Sequence, residues 1–467
     1  MATARARFLK QRYGGYFHRD IPPEDTELTH VGSGTPGGEY LRRFWQPVCF
    51  SDDLKDLPLK VRMLGEDLVA YRDKRGTVGL LELHCPHRGT SLEFGLVGED
   101  GIRCCYHGWL FGADGQILET PGEPADSTLK DKLWHGAYPV HEYGGVVFAY
   151  MGPPQKKPPF PIYDTFDRPG WRMIPGRKYF YPCNWLQMHE NHMDPAHTAF
   201  LHTIVAGAVF TEEFGVLPEL DFVETPVGMI YVATRRVGDN VWARMVETLL
   251  PNLSQVAPIW ETGRNECEFS GPMMSRWTMP LDDTHTMFLE FRHVSEKDGE
   301  TPAWWADSNI MLPGQLAADS YEEGQLHPGD YEAQVSQRPI AIHGLEHLGA
   351  TDRGITMFRR QIRRGIRGVA KGEDPPGLVS NGGGVIPTYC NNTIVCQPKA
   401  ETEALDKAMM REIGIKLAKG YLKSPPLSKG ALTRRDLLWA RPGLVFSRPR
   451  GLHVGTYGSA RCSRKFA

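Results

Sequence analysis

The sequence is short of net charge, of long apolar runs and of paired cysteines, and each shortage excludes something. Its 467 residues carry 56 acids against 53 Lys and Arg, a net of -3, which argues against a general attraction to nucleic acid or to an anionic membrane surface. No apolar run of 18 residues is present to cross a bilayer as a helix. The segment Met1 to Asp20 is basic but lacks the apolar stretch of a secretory leader. Nine cysteines scattered over so long a chain do not form a disulfide framework, and the expected compartment is the cytoplasm. There is no internal repeat. A dinucleotide fold is missing as well, although Gly32-Ser-Gly34-Thr-Pro-Gly37 matches G-x-G-x-x-G and is followed by Asp52 and Asp53. Only a short apolar stretch precedes it, the helical pattern Glu39 to Trp45 stops at Pro47, and no βαβ unit has room. That turn is expected to do no more than start a short helix.

What the chain does have is a pair of metal-gripping loops. Cys85-Pro-His87-Arg-Gly89 and Cys104-Cys-Tyr-His107-Gly-Trp109 each offer one thiolate and one imidazole, as C-x-H and C-x-x-H, with 16 residues between His87 and Cys104. Two Cys on one iron and two His on the other is the ligand composition of a Rieske 2Fe-2S cluster. Neutral imidazoles in place of two thiolates raise the cluster potential, so these loops would accept and pass on single electrons. A structural Cys2His2 zinc site uses the same ligand types. Gly89, Gly108 and Trp109 favour a tight cluster-wrapping turn over a zinc finger. His84 and Cys105 stand beside the ligands, outside the two spacings, and read as packing or supporting groups.

Around these loops the pattern is of short antiparallel strands, from Leu59 to Leu83 with a turn at Asp73-Lys-Arg-Gly76, then a turn at Ala113-Asp-Gly115 and a last strand from Gly145 to Met151. This describes a small all-β domain over residues 40–152. Five prolines between Pro153 and Pro161 suit neither helix nor central strand, and residues 153–170 read as a semi-rigid linker. The catalytic domain is expected over 171–424. Its hairpins would join Val227–Val237 to Val241–Leu250 and Met274–Met279 to Thr286–Val294, with helices at Asp330–Leu348, Asp352–Arg364 and Glu401–Leu422. The fold class is therefore α+β, a small β domain beside an antiparallel sheet flanked by helices. Residues 1–39 are expected to pack on the catalytic domain. Residues 425–467 carry nine Lys and Arg against Asp436 alone, a basic tail of net +8 that leaves -11 for the rest. Such a tail either wraps an acidic surface or stays solvated.

A second constellation lies in Glu190-Asn191-His192-Met-Asp194-Pro-Ala-His197-Thr-Ala-Phe-Leu-His202, expected to be helical from Met188 to Thr203. Two imidazoles and a distant carboxylate make the facial triad that binds Fe(II) and leaves positions open for dioxygen. His197 and His202 are five residues apart, a rotation of about 140° on a regular helix. To share one ion, the helix must bend, widen or end between them. His192 and His197 have the same separation, so spacing leaves both pairs open. Histidines of a helix that are merely core or surface groups are the plain alternative.

The two motifs in this order resemble the large subunit of the Rieske non-haem iron oxygenases, over about Thr35 to Arg364, and most closely the phthalate-dioxygenase type. Respiratory-chain Rieske proteins resemble the cluster loops too, but carry a further Cys in each loop to make a disulfide; Thr90 stands at that place in the first loop here, so no such clamp forms. The resemblance implies a cluster held by Cys85, His87, Cys104 and His107. The family pattern E-N, then D-x-x-H-x4-H, falls on Glu190, Asn191, Asp194, His197 and His202, which selects His197 and His202 as iron ligands over His189 and His192. It places the third ligand in Asp330-Tyr-Glu-Ala-Gln334, ahead of Glu346 to Asp352, with Asp330 first and Glu332 and Asp319 behind it. Many members have an acid before that ligand where this chain has Gly329, and Asp330 could instead cap the following helix.

By the same resemblance Asp194, with Asn191 among the catalytic residues, would bridge the cluster ligand His107 of one subunit to His197 of the next. The assembly would be a homotrimer or a multiple of one. Electrons would come from NAD(P)H through a separate reductase, with or without a ferredoxin, and dioxygen would be the co-substrate. The expected reaction is O-demethylation of a methoxylated aromatic acid of lignin origin, of the dehydrodivanillate kind, with release of formaldehyde. Ring dioxygenation or hydroxylation of an aromatic acid is the alternative, and a non-catalytic Rieske electron carrier the second. Arg235, Arg236, Arg244, His285 or His293 could meet an acid group, each with a solvated strand position as its plain alternative. Trp260, Trp277, Trp304 and Trp305 could line an aromatic pocket or serve the core.

Overall fold

The computed structural model describes residues 11–17, 21–205, 211–260, 269–297, 301, 303–307, 314–378 and 384–427. Almost the whole basic tail thus lies outside the described residues. Residues 1–432 form one compact unit. Among the described residues no helix is long and apolar enough to cross a membrane.

Short strands separated by tight turns make the first part. Leu59–Met63, Glu66–Arg72 and Val78–Glu82 form a meander. Its first turn needs positive φ at both Leu64 and Gly65, the hairpin turn that matches strand twist. Its second is tied by Asp73, whose Oδ1 accepts from the amides of Arg75 and Thr77. Four two- and three-residue strands between Leu96 and Glu119 make a second sheet. Trp45–Phe50, Val140–Tyr143 and Val146–Tyr150 make a third. The helical pattern Glu39 to Trp45 is corrected here: the helix is Pro36–Leu41, capped by Thr35, and Trp45 already begins a strand that runs through Pro47. The G-x-G-x-x-G turn does start that short helix.

The proline segment is strapped down rather than loose. Trp45 donates its indole N–H to the Pro158 carbonyl, and Phe160 packs edge-on against Trp45 and Phe148. Beyond it nine strands form an antiparallel sheet. Trp171–Tyr181, Thr286–Ser295, Met274–Pro280, Leu253–Val256, Asn240–Leu249, Gly228–Val237 and Glu219–Thr225 lie in that spatial order, with Phe269–Ser270 and Asn391–Cys396 attached. Both expected hairpins are present, with bounds shifted by a residue at most. One face of the sheet is apolar: Leu249, Leu253, Trp277, Met279, Met287, Leu289 and Phe291 join Phe44, Phe148 and Tyr150 in one continuous core.

The long helices are Arg353–Val369 and Glu403–Lys423. Gly365 faces Tyr40 and Gly354 faces Phe222 at distances a Cβ would violate, so the first of these lies close against the core. Its exposed edge anchors the N-terminal segment through Arg363 to Asp25 and Glu27, and Arg367 to Glu27. The expected helix Asp330–Leu348 is corrected: it ends at Val335, and only a 3-10 turn recurs at His343–Leu345. Pro339 disfavours helix at Arg338, whose φ is +93°. Gln187 then satisfies the freed backbone, donating to the carbonyls of Gln334 and Arg338 and accepting from the Ala341 amide.

On the apolar face Glu247 is fully buried, bonded by Thr225 Oγ1 at 2.9 Å and the Tyr389 amide at 2.6 Å. Burial, reinforced by Asp164, pushes its carboxyl up to about 8. The folded state then keeps a proton that the unfolded chain releases above its ordinary range, so stability falls as pH rises from about 4.5 towards 8, by at most about 1.4 kcal/mol per unit. In urea melts, Glu247→Gln should gain on the parent between pH 5 and pH 8. The same pH dependence in both proteins would mean that Glu247 folds as a carboxylate.

Candidate metal centres

The two Cys-His loops are built alike despite their different spacing. In each, the amide four residues after the Cys donates to the Cys carbonyl, Gly89 to Cys85 at 2.8 Å and Gly108 to Cys104 at 3.1 Å. In each, the Cys amide donates to the carbonyl five residues on, Thr90 or Trp109. The glycines sit at φ +75° and +74°, which only glycine takes freely. Cys85 and Cys104 are buried in a small core of Val69, Leu81, Leu92, Ile102 and Phe111, while His87 is exposed and His107 half-buried. Their rings lie 4.5 Å apart, with His87 stacked on Trp109 at 4.8 Å. Burial pushes the Cys85 thiol up to about 11, against the backbone N–H groups of His87 and Arg88 turned onto its sulfur. Two sulfurs inside, with amides aimed at one of them, and two imidazoles outside suit a group that is buried on one side and meets a partner on the other. Cys105 is exposed, and His84 hydrogen-bonds the Gly89 carbonyl.

The second constellation is not one helix. It runs as Trp185–Glu190, a 3-10 turn Asn191–Met193, a helical turn His197–Ala199 and a widened π-turn Phe200–Val205. The widening falls between the two histidines, as their spacing requires. His197 Nε2 and His202 Nε2 lie 3.8 and 3.5 Å from Asp330 Oδ1, and the three donor atoms all lie within 4.8 Å of one another. Metal–ligand bonds of about 2 Å need donor separations of this order. Burial works against the Asp330 carboxylate, yet His202, His197 and Gln315 hold it well below the usual range. Burial likewise disfavours a His197 cation, but Asp194 and Asp330 raise it overall. Asp194 Oδ2 lies 3.6 Å from His197 Nδ1, an atom with no hydrogen bond of its own among the described residues. Asn191 Nδ2 stands 3.2 Å from Asp330 Oδ1 and 3.4 Å from His197 Nε2.

The remaining candidates are placed elsewhere. His189 and His192 hydrogen-bond Thr278 and Ser254, and burial pushes both down, His189 to about 3. Glu332 accepts from the amides of Gly329 and Ala318, and Asp319 is exposed. Asp330 does not cap its helix, since Gly329 holds the cap position and Asp330 is buried. Glu190 turns away from the triad onto Arg359, which also grips Glu346. Arg236 pairs with Asp406, His285 with Asp282, and His293 with Ser275. Trp260, Trp277 and Trp305 are buried, and the side chain of Trp304 lies outside the described residues. Sequence reasoning missed Gln315, which donates to Asp330 Oδ2 at 2.6 Å; nothing local in the sequence marks it.

A fold with this two-centre arrangement has known counterparts. The family profile described as the Rieske [2Fe-2S] domain matches residues 44–140. The tert-butanol monooxygenase / tert-amyl alcohol desaturase oxygenase subunit of Aquincola tertiaricarbonis is 44% identical, over 86% of this chain and 89% of that one. Phenoxybenzoate dioxygenase subunit alpha of Ectopseudomonas oleovorans is 39% identical (84% and 97%). The 5,5'-dehydrodivanillate O-demethylase oxygenase subunit of Sphingobium sp. is 33% identical (76% and 82%). Among solved structures, the caffeine-bound QL mutant of NdmA from Pseudomonas putida CBB5 shares the fold, with a TM-score of 0.56 over 72% of this chain and 94% of that one at 19% identity. The protein is thus an iron-sulfur oxidoreductase. More particularly, the chain belongs to the Rieske non-haem iron oxygenases, as an oxygenase (alpha) subunit of the phthalate-dioxygenase type. Its cofactors are a Rieske 2Fe-2S cluster and a mononuclear iron. The donor sets fit them, two thiols with two imidazoles at one site and two imidazoles with a carboxylate at the other.

Arg359 is the cation between two largely buried carboxylates. Arg359→Met would leave Glu190 and Glu346 facing each other, and should cost about 3 kcal/mol in chemical denaturation. Glu346→Gln, which keeps the Arg359–Glu190 pair, should cost distinctly less.

Proposed function

We propose that the protein oxygenates an aromatic carboxylic acid, with His197, His202 and Asp330 holding the iron and Cys85, His87, Cys104 and His107 the cluster. When bound, the cluster supplies single electrons and the iron activates dioxygen. The observation that carries the acid is a pair of arginines, Arg235 and Arg244. They are 1% and 4% exposed, and neither makes an ion pair with a carboxylate among the described residues. Arg235 Nη2 donates to Thr198, the neighbour of His197, so its guanidinium abuts the iron segment. Arg244 donates to Tyr231 and to the Ala257 carbonyl. Among the described residues, Arg235 Nη1 and Arg244 Nε have no acceptor. Phe214 lies against both guanidiniums and Trp242 against Arg235, and burial with the nearby Arg244 charge pushes Arg235 down to about 9. Two buried cations without a counter-charge cost several kcal/mol. An anionic substrate end would offset that cost, beside the segment that carries His197.

The first reading is O-demethylation of a methoxylated aromatic acid such as dehydrodivanillate. In it, a methoxy group, dioxygen, two electrons and two protons yield a phenol, formaldehyde and water. The second, ring dioxygenation, is favoured by the 39% likeness to a phenoxybenzoate dioxygenase. Electrons would arrive from NAD(P)H through a reductase, with or without a ferredoxin. Asp194 is half-buried beside His197, a position that suits a bridge to the cluster loop of a neighbouring subunit in a trimeric assembly. A cluster-only electron carrier would leave the convergence of His197, His202 and Asp330 without a purpose, and would hold two irons per chain rather than three.

The test is a single turnover of reduced protein with oxygen and methoxylated, phenoxylated and plain aromatic acids, and tert-butanol. Formaldehyde from a methoxy acid supports the first reading, and a ring diol or its phenolic product the second. Turnover of tert-butanol with no aromatic acid accepted would overturn both. Arg244→Gln should raise the dissociation constant for the acid about 10- to 100-fold, the loss of a charge-assisted hydrogen bond, and leave the cluster spectrum unchanged. Asp194→Asn should keep both metal centres and abolish steady-state turnover; unaltered turnover with full metal content would remove Asp194 from the electron path.

A further inference from the structure

The two oxygens of the Asp330 carboxylate face different ways. Oδ1 points at His197, His202 and Asn191. Oδ2 accepts from Gln315 Nε2 at 2.6 Å. Gln315 is 6% exposed, and its own Oε1 accepts from Arg276 Nη1 at 3.1 Å. An arginine only donates, so the amide oxygen of Gln315 must face Arg276, and the amide NH2 must then face Asp330. The side chain cannot flip without losing both bonds. Arg276 is fixed in turn by Glu290 Oε2, through Nη2 at 2.9 Å and Nε at 3.3 Å. Glu290 Oε1 accepts from Arg292, whose Nη1 donates to the carbonyls of Trp305 and Asp307. Glu290 and Arg292 are completely buried and Arg276 is 4% exposed.

The backbone brings Gln315 to this place through a crossing of two glycines. A Cβ on Gly329 would lie 2.5 Å from Gly314 Cα and 2.7 Å from its carbonyl oxygen. Gly314 has φ +70°, and the Tyr331 amide donates to its carbonyl at 3.0 Å. Tyr181 Oη donates to the Gln315 carbonyl at 2.8 Å. Any side chain at 329 would push residue 314 away and carry Gln315 off Asp330. This gives a physical reason for glycine at position 329.

We propose that Gln315 is a positioning residue of the iron site. Held by the Arg276–Glu290–Arg292 chain, it occupies Oδ2 of Asp330 and restricts that carboxylate to coordination through Oδ1 alone. A bound iron would then keep a position that a two-oxygen carboxylate would fill. This rests on the assignment of Asp330, His197 and His202 as ligands.

The test uses the full-length protein with its cluster intact and the mononuclear site depleted and refilled with cobalt(II), whose d–d band intensity reports coordination number. In Gln315→Met, which keeps the volume and removes the donor, both carboxylate oxygens are free to bind. The d–d intensity should fall as coordination number rises, the cobalt dissociation constant should shift about 10- to 100-fold, as for other supporting partners of metal ligands, and kcat should fall with little change in KM. Gln315→Glu, which still accepts from Arg276 but sets a carboxylate against Asp330, should weaken metal binding further, and Gln315→Asn serves as a milder variant should the others fail to fold. Parent-like cobalt spectrum, affinity and kcat in Gln315→Met would overturn the proposal. Asp330→Ala separates the two failures: retained metal binding there would overturn the ligand assignment itself, whatever Gln315 does.

Discussion

Two imidazoles five residues apart cannot converge from a regular helix, and the widened turn that brings His197 and His202 together is the constraint on which this part of the chain depends. A π-turn gives up regular hydrogen bonds and must be held from outside. Thr203 Oγ1 bonds back to the Thr198 carbonyl, five residues earlier, and Thr198 Oγ1 bonds the Pro195 carbonyl. Asp194 Oδ1 accepts from the amides of Ala196 and His197, which fixes the start of the turn. Upstream, Asn184 caps Trp185–Glu190 and its amide reaches the carbonyls of Thr29 and Asp283, tying the segment to two other parts of the chain. The irregularity is local, and its support is long-range.

That distinction decides what could be read from the sequence. The cluster loops were legible because each is closed by bonds within six residues, and a glycine at the fifth position of each marks its turn. His197 and His202 were legible as residue types, but preferring them to His189 and His192 needed the family resemblance. In the structure His189 and His192 are turned onto Thr278 and Ser254 of the sheet, while His197 and His202 meet Asp330. Asp330 lies 128 residues beyond His202, and no local signal joins them. Gln315 was invisible for the same reason, because its meeting with Asp330 depends on two glycine backbones crossing. The helix expected to run on to Leu348 failed where Gln187, from another element, competed for the backbone groups beyond Val335.

Buried charge separates two uses of arginine in this protein. Arg276, Arg292, Arg359 and Arg363 each meet a carboxylate, and the guanidinium plane fixes the group it bonds. Such arginines orient a neighbour, as Arg276 orients Gln315 and Arg359 holds Glu190 beside Asn191. Arg235 and Arg244 have no such partner among the described residues, and they lie one in the other's field against Phe214. An uncompensated pair of this kind carries a desolvation cost that a ligand of opposite charge would offset.

The arginines of the sheet, Arg235, Arg244, Arg276 and Arg292, fall on one of its faces. The registers Arg235–Trp242, Tyr231–Val246, Ser254–Thr248 and Arg276–Glu290 put Tyr231, Arg235, Trp242, Arg244, Ser254, Arg276, Thr278 and Glu290 on a common side. The opposite side carries Leu249, Leu253, Trp277, Met279 and Leu289 and meets the main core. Alternating polar and apolar residues normally mean a strand with one face in water, which is why the arginines read as solvated positions in the sequence. Here the polar face is roofed by the iron segment and by residues 314–335, so the same alternation encodes a sheet buried on both sides, by packing on one and by a charged site on the other. A period of two shows which residues share a face. Whether that face meets water or a buried site is set by segments distant in the chain.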